Sequence, residues 1–211
     1  MIITLIGMSG AGKTHWARQL EREGFLRVTV DDIIEAKLDK ELLDQGYSGI
    51  GDVAKWMGLP YEPEYQRTSQ LYMDFERDAI LEVLMLAYSR SESGGDIVID
   101  TPGSLIYVPD DILRELSQRT TLVYFHTPES AHKVLAERYL TDPKPVIWGN
   151  SFKQKRKETH QEALMRCYPL LLRDRTAKYQ KIAHTTFNFA QLSRKEFTAQ
   201  DIIDFAGATK R

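Results

Sequence analysis

The sequence has a single cysteine, no strong excess of either charge and no long apolar run, and each absence excludes a class of protein. Cys167 has no partner for an internal disulfide and cannot build a cysteine metal cluster. The formal net charge of −2 gives no general electrostatic reason to expect binding to nucleic acid or to a membrane. The most apolar stretch, near residues 80–87, contains Glu82 and is far too short to span a bilayer.

We expect the amino-terminal residues not to be a signal peptide. They are apolar but lack the basic segment of a secretory signal, and a glycine-rich motif follows after six residues. We therefore expect a cytoplasmic protein. The 211 residues suffice for one large globular domain, so we predict a single domain over residues 1–211. Nothing in the sequence indicates an oligomeric state.

Residues 7–14, Gly-Met-Ser-Gly-Ala-Gly-Lys-Thr, match the phosphate-binding pattern G-x-x-x-x-G-K-[ST] at every fixed position, and we call them the phosphate loop. An apolar strand precedes them and a helical pattern follows, which is the context this motif needs. The glycines allow backbone N–H groups to surround phosphate oxygens. Lys13 would reach the β- and γ-phosphates of ATP, and the Thr14 hydroxyl would bind Mg²⁺. The predicted nucleotide-binding residues are Gly7, Gly10, Ala11, Gly12, Lys13, Thr14 and, from the lid described below, Arg138.

Apolar runs alternate with helical patterns along the rest of the chain. This alternation predicts an α/β fold of three layers, a five-stranded parallel sheet with helices on both faces. The predicted strands cover residues 2–6, 25–30, 97–100, 121–125 and 182–189.

Three helical segments are predicted in more detail. Residues 65–88 are predicted to form a long helix with one apolar stripe, made of Leu71, Phe75, Ile80 and Leu84. Thr127 precedes a proline and should cap the next helix. A basic helix runs from Phe152 towards residue 179 and is interrupted or kinked at Pro169.

Carboxylates follow two of the predicted strands. Asp31 ends strand two, where it could orient the attacking hydroxyl in phosphoryl transfer, and Asp100 ends strand three, where it could support Mg²⁺. Asp31 and Asp32 could instead cap the following helix. We favour Asp31 for the chemistry and Asp32 for capping or support.

The sequence Asp-Thr-Pro-Gly at residues 100–103 also resembles the switch motif of GTPases. Such proteins carry an N-K-x-D element that recognises guanine. The chain has only two asparagines, Asn150 and Asn188, which are followed by Ser and Phe. The guanine-recognition element is therefore absent, and the GTPase interpretation is disfavoured.

Charge is distributed unevenly along the chain. Residues 31–82 contain thirteen acidic and five basic residues, whereas residues 138–181 contain eleven basic and four acidic residues. A kinase needs positive charge where phosphates are enclosed. The second stretch begins at a Pro- and Gly-containing loop, which we predict to be a lid at about residues 138–152.

Over nearly its whole length the chain resembles the shikimate kinase family of small P-loop kinases. The phosphate loop, the position of Asp31 and the loop after strand three occur in the family's order. Arg138 and the following Lys144-Pro145 resemble the lid and its R-P-L-L sequence, and Arg175 resembles the arginine that binds the substrate carboxylate. The resemblance implies strand order 2-3-1-4-5, ATP with Mg²⁺ as cofactors, and phosphorylation of an alcohol.

The chain departs from that family at several positions of the acceptor site. Thr29 replaces the first aspartate of D-x-D, and Met73 stands where the family has a substrate-binding arginine. Thr101-Pro102-Gly103 replaces a triple-glycine loop, and Lys144 replaces the lid arginine. These departures predict an acceptor other than shikimate.

The sequence therefore predicts an ATP-dependent small-molecule kinase with Mg²⁺, acting on a hydroxyl acceptor, and no nucleic-acid or membrane partner. The alternatives are a nucleotide or nucleoside kinase and a non-catalytic nucleotide-binding regulatory module. The acceptor region is predicted at about residues 31–90. The predicted catalytic residues are Lys13, Asp31, Arg138 and Lys144; the substrate-binding residues are Asp31, Gly103 and Arg175; the metal-binding residues are Thr14 and Asp100.

Overall fold

A computed structural model describes residues 1–208, apart from the side chain of Ile50. Five parallel strands form one sheet in the order β2-β3-β1-β4-β5, so the predicted fold class and strand order are confirmed. The strands are β1 (Ile2–Gly7), β2 (Leu26–Thr29), β3 (Ile97–Asp100), β4 (Thr121–His126) and β5 (Thr185–Asn188).

Helices cover both faces of the sheet. They are α1 (Lys13–Arg22), α2 (Val30–Leu43), α3 (Ile50–Met57), α4 (Tyr65–Glu92), α5 (Asp110–Arg119), α6 (His132–Thr141), α7 (His160–Ile182), α8 (Phe189–Leu192) and α9 (Ala199–Ala208). Short 3₁₀ turns lie at Leu105–Tyr107 and Glu129–Ala131.

Alternating strand residues divide the core between the two faces. In β1, Ile3 and Leu5 pack with α1 and α9, whereas Ile2 and Ile6 pack on the other side with α2, α4 and α5. Strands buried on both faces must be apolar almost throughout, as the central strands are. A third cluster, around Trp148, joins α6 and α7 to the chain just before α4.

Several predicted boundaries are wrong, and each error has a local cause. Strand β2 ends at Thr29 because Val30 is buried as the first residue of α2. Strand β5 is shorter than predicted because α7 continues to Ile182 and Asn188 caps α8. Thr127 does not cap a helix, since the cap position before the 3₁₀ turn falls on Pro128, which has no polar side chain.

Helix α7 begins eight residues later than predicted. The Thr159 hydroxyl accepts a hydrogen bond from the backbone of Glu162, whose carboxylate accepts one from the Thr159 backbone, and this capping box fixes the start at His160. The helix continues on both sides of Pro169. Buried residues before and after the proline, including Cys167 and Leu171, stabilise the helix against the cost of about 3 kcal/mol that an internal proline carries.

Candidate active site

The phosphate loop lies where the chain leaves β1, the central strand of the sheet. Strands β3 and β4 flank β1, so the order in which the chain adds strands to the sheet reverses at β1. Ligands of parallel α/β sheets usually bind at the carboxyl ends of the strands at such a reversal. Gly7 has a φ of +144°, and a Cβ there would come within 2.8 Å of the Phe125 carbonyl oxygen. Gly12, with a φ of +92°, turns the chain into α1. Only glycine suits both positions.

Lys13 is buried at the first position of α1. Its ammonium donates hydrogen bonds to the carbonyl oxygens of Gly7 at 2.8 Å and Met8 at 2.9 Å. Burial lowers the pKa of Lys13, while the carboxylates of Asp100 and Asp31 act in the opposite direction. A positive charge is therefore held within the loop and close to two acidic side chains.

Asp31 lies in the first turn of α2, not at the end of a strand as predicted. The Tyr72 hydroxyl donates to its Oδ1 atom at 3.4 Å. Burial raises the pKa of Asp31 to about 6, and Lys13 limits the rise. Neither Asp31 nor Asp32 supplies a side-chain cap to α2, so the capping alternative has no contact to support it. A carboxyl group with this pKa is suited to accept a proton near neutral pH.

Asp100 is buried at the end of β3, and its Oδ2 atom has no hydrogen-bond partner among the described residues. Burial raises its pKa, against the influence of the Thr14 hydroxyl and Lys13. A hydroxyl and a carboxylate are hard oxygen donors of the kind that Mg²⁺ prefers. Residues 1–208 contain no group of three His, Cys, Asp or Glu side chains able to hold a metal, so phosphate oxygens and water would have to complete its coordination.

Arg175, on α7, is buried with only 4% of its surface exposed. Its Nη2 atom donates to the Ile147 carbonyl oxygen at 2.7 Å, and its guanidinium lies over the Tyr107 ring at 5.4 Å from the centroid. The Nε atom has no partner within residues 1–208. A Cβ at Gly103 would lie 3.4 Å from the Nη1 atom of Arg175 and 3.0 Å from the Ser9 backbone nitrogen, so the loop after β3 packs closely on the phosphate loop.

Glu76 is a buried acidic residue near this site that the motifs do not reveal. It is fully buried on α4, and neither carboxylate oxygen has a hydrogen-bond partner in the described part of the chain. Burial raises its pKa to about 8, while Ser104 and Arg175 favour the charged form. The helical period places it on one face with Tyr72, Ala79 and Val83, so an acidic residue on a buried stripe was the available signal.

A cavity of about 560 Å³ brings most of the predicted site residues together. Gly7 and Ala11 are the exceptions: Gly7 lies in β1 and Ala11 packs against the core beside α1. Tyr72 and Ser104 were not predicted but also border the cavity. Its predicted lining residues are Gly10, Gly12, Lys13, Thr14, Asp31, Asp100, Gly103, Arg138, Lys144 and Arg175.

Comparison with protein families places most of this site in a known domain. Residues 2–146, from β1 to the loop after α6, match the family model of the AAA domain. The chain belongs to the AAA domain family. A comparison of the sequence with curated proteins gives no match.

Solved structures similar to this AAA domain protein include two shikimate kinases. The enzyme from Acinetobacter baumannii, in complex with shikimate, is 23% identical, with 96% of this chain and 88% of that chain covered and a TM-score of 0.57. The enzyme from Aquifex aeolicus is 16% identical, with coverages of 100% and 98% and a TM-score of 0.61. Dephospho-CoA kinase from Campylobacter jejuni is 10% identical, with both coverages 98% and a TM-score of 0.54.

At sequence identities of 10–23%, these structures show that the proteins share a fold with this chain. The shared fold confirms the predicted resemblance to small P-loop kinases of the shikimate kinase type at that level. Within residues 1–208, no helix combines the length and the apolar character needed to cross a membrane.

The predicted lid of the AAA domain protein has two structurally different parts. Residues 141–144 are exposed, and Lys144 pairs with Asp142 at 3.0 Å while 54% of its side chain remains accessible. Residues 146–148 are buried instead, because the Tyr65 hydroxyl donates to the Val146 carbonyl and accepts from the Trp148 backbone N–H. Trp148 is therefore a packing residue, and the exposed charged side chains of the predicted lid lie before Val146.

Proposed function

We propose that this AAA domain protein transfers the γ-phosphoryl group of ATP to a hydroxyl group of a small molecule. The observation that carries the proposal is that one cavity contains both the phosphate loop and Asp31, a carboxyl group whose pKa is raised to about 6. The acceptor oxygen attacks the γ-phosphorus and forms the new P–O bond. The bond from that phosphorus to the β–γ bridging oxygen breaks, ADP leaves, and Asp31 accepts the hydroxyl proton.

The phosphate loop would bind the nucleotide. Lys13 and the backbone N–H groups at the start of α1 place positive charge against the β- and γ-phosphates. Thr14 and Asp100 would hold Mg²⁺, which when bound neutralises charge on the phosphates. The unpartnered Oδ2 atom of Asp100 supports this assignment.

The remaining cavity residues divide between the two ends of the site. Arg138, in the last turn of α6, and Lys144 would approach the phosphates from the lid. Gly103 and Arg175 also line the cavity, and we assign them to the acceptor side together with the region of residues 31–90. We assign all of these elements to a single domain.

The proposal is tested by acceptor-dependent release of ADP across a panel of alcohols, with ATP and Mg²⁺ present. A rate above that of ATP alone, for at least one acceptor, is the expected result. Tight ATP binding with no acceptor-dependent turnover would contradict the proposal and favour a regulatory nucleotide-binding module.

Shikimate is expected to be a poor acceptor or none. Met73 provides no charge where the shikimate kinase family has an arginine, and it packs against the core instead. The measurement is ADP release with and without shikimate. A shikimate-dependent rate of about 1–10³ s⁻¹, the usual enzymatic range, would overturn this expectation.

We expect residues 138–145 to become more protected from hydrogen exchange when a non-hydrolysable ATP analogue binds with Mg²⁺. Phosphate oxygens would give Arg138 and Lys144 new partners, and lids of this kind move on the microsecond-to-millisecond scale. The Trp148 amide, which is hydrogen-bonded to the Tyr65 hydroxyl in a buried segment, should exchange slowly in both states and serve as an internal control. Protection limited to the phosphate loop would remove the lid assignment.

A further inference from the structure

Glu76 places a buried carboxyl group directly behind the acceptor end of the cavity. It lies one helical turn after Tyr72 on α4, and its neighbour across the site is Ser104. Tyr72 and Ser104 both border the cavity, so a single layer of side chains separates Glu76 from an acceptor. Gly51 and Ala54, on α3, also line this cavity and leave space at its wall.

The charges near the acceptor end are unequal. Asp31 and Glu76 are both acidic. Lys13 acts on both carboxyl groups, and Glu76 is also close to the positive charge of Arg175. Its guanidinium is already engaged by the Ile147 carbonyl and the Tyr107 ring. Lys13 belongs to the phosphate loop, where the nucleotide would engage it. An acceptor with a negative charge therefore meets two carboxyl groups and Arg175, a partly engaged cation whose Nε atom has no partner within residues 1–208.

Glu76 also lacks the partner that its position requires. A buried carboxylate without a hydrogen-bond partner is costly, and neither of its two oxygens has one within residues 1–208. Ser104, Arg175 and Lys13 favour its charged form, yet burial still raises its pKa to about 8. The residue one turn earlier on the same side, Met73, is apolar. A cationic group on a ligand would add the stabilisation that the neighbouring residues leave incomplete.

Building on the kinase function proposed above, we propose that the acceptor is an alcohol that also carries a protonated amine, and that Glu76 selects it through its negative charge. A charge acting through one layer of side chains in a buried site is sufficient to change affinity by about tenfold or more. Glu76 is thus a specificity-determining residue, and Asp31 remains the proton acceptor.

Protonation of Glu76 should change when such an acceptor binds. With a pKa of about 8, Glu76 is mostly neutral at pH 7, and a nearby ammonium group favours its charged form. Binding at pH 7 should therefore release a proton. The charged and titratable groups that face Glu76 are Lys13, Asp31, Tyr72, Arg175 and Tyr179.

The first experiment compares three ring-matched acceptors: an aminocyclitol, inositol and quinate, which carry an ammonium group, no charge and a carboxylate. The expected kcat/KM for the aminocyclitol is at least about tenfold above that for inositol, with quinate lowest. Glu76→Gln should remove most of this preference. Glu82→Gln, an equivalent change at an exposed position of α4, should preserve it.

Two further measurements separate recognition from damage to the fold. Calorimetry in buffers of different ionisation enthalpy should detect proton release on aminocyclitol binding to the wild type, and none for Glu76→Gln. Met73→Arg, which places a cation three residues before Glu76 on the same helix, should also remove the preference and favour quinate. If Glu76→Gln does not bind an ATP analogue, its fold is damaged and it gives no information on selectivity. The acceptor preference of Met73→Arg and the proton release of the wild type then test the role of Glu76.

The possible outcomes distinguish this inference from the proposed function. ATP-dependent transfer that favours quinate or inositol, or a preference unchanged in Glu76→Gln, overturns the inference and leaves the kinase function standing. Absence of acceptor-dependent turnover with any alcohol of the wider panel overturns both.

Discussion

Replacing Lys13 with alanine is expected to lower kcat/KM for phosphoryl transfer by about a hundredfold to a thousandfold. The ammonium group lies inside the phosphate loop, held by two carbonyl oxygens, and it is the buried cation closest to the bound phosphates in this account. Alanine removes that charge where negative charge develops on the transferring group. No other side chain of the loop can replace it.

The fold should survive this change. Alanine is favourable at the first position of α1, and relief from burying a charge offsets the loss of two hydrogen bonds. We expect the midpoint of thermal unfolding to shift by less than about 5 °C, which corresponds to about 1–2.5 kcal/mol in a domain of this size. Lys40→Ala, at an exposed position of α2, is the matched control and should retain full activity. Native turnover by pure Lys13→Ala would refute the assignment of the phosphate loop.

Asp31→Asn is expected to lower kcat by about a hundredfold to ten-thousandfold, the usual contribution of a general base. Asparagine keeps the size of the side chain and its contact with the Tyr72 hydroxyl but cannot accept the acceptor's proton. The chain offers a close control: Asp32→Asn changes the adjacent, exposed carboxylate in the same helical turn. If both variants lost activity equally, the effect would belong to the charge of the helix end, and Asp31 would not be the base.

The same assignment predicts the pH dependence of the wild type. The pKa of Asp31 is raised to about 6, and only its deprotonated form accepts a proton. Activity should therefore be full above this pH and should fall as the pH drops through about 6. Asp31→Asn should lose this acidic limb. A wild-type profile that stays flat down to pH 5 would contradict the role of Asp31.

The parts of the site that the sequence predicted well are those defined by short-range pattern. The phosphate loop is contiguous, and its apolar strand and following helix leave few alternatives for its shape. Asp100 could be placed because it directly ends a short buried strand. The strand order came from the family resemblance, since it depends on pairings between distant segments.

The parts that sequence reasoning missed depend on packing between distant elements. In the second half of α4, Ile80 and Leu84 are buried as predicted. In the first half the buried face is shifted by one residue: Tyr72 and Glu76 are buried, whereas Leu71 and Phe75, which were expected there, are only partly buried. The shift follows from the packing of α4 against α2 and the loop after β3. The sequence pattern of α4 alone carries no information about these contacts.

The predicted lid was misjudged for the same reason. Its residues 146–148 are buried because they hydrogen-bond to Tyr65, which lies 81 or more residues away in the sequence.

The central claim is tested most directly by following the γ-phosphoryl group itself. ATP labelled at the γ-phosphate is incubated with Mg²⁺, the protein and each acceptor in turn, and the labelled products are separated. We expect label in an organic phosphate ester for at least one hydroxyl acceptor, and strongly reduced labelling with Lys13→Ala and Asp31→Asn. Label found only in ATP or in inorganic phosphate, whichever acceptor is present, would contradict the central claim.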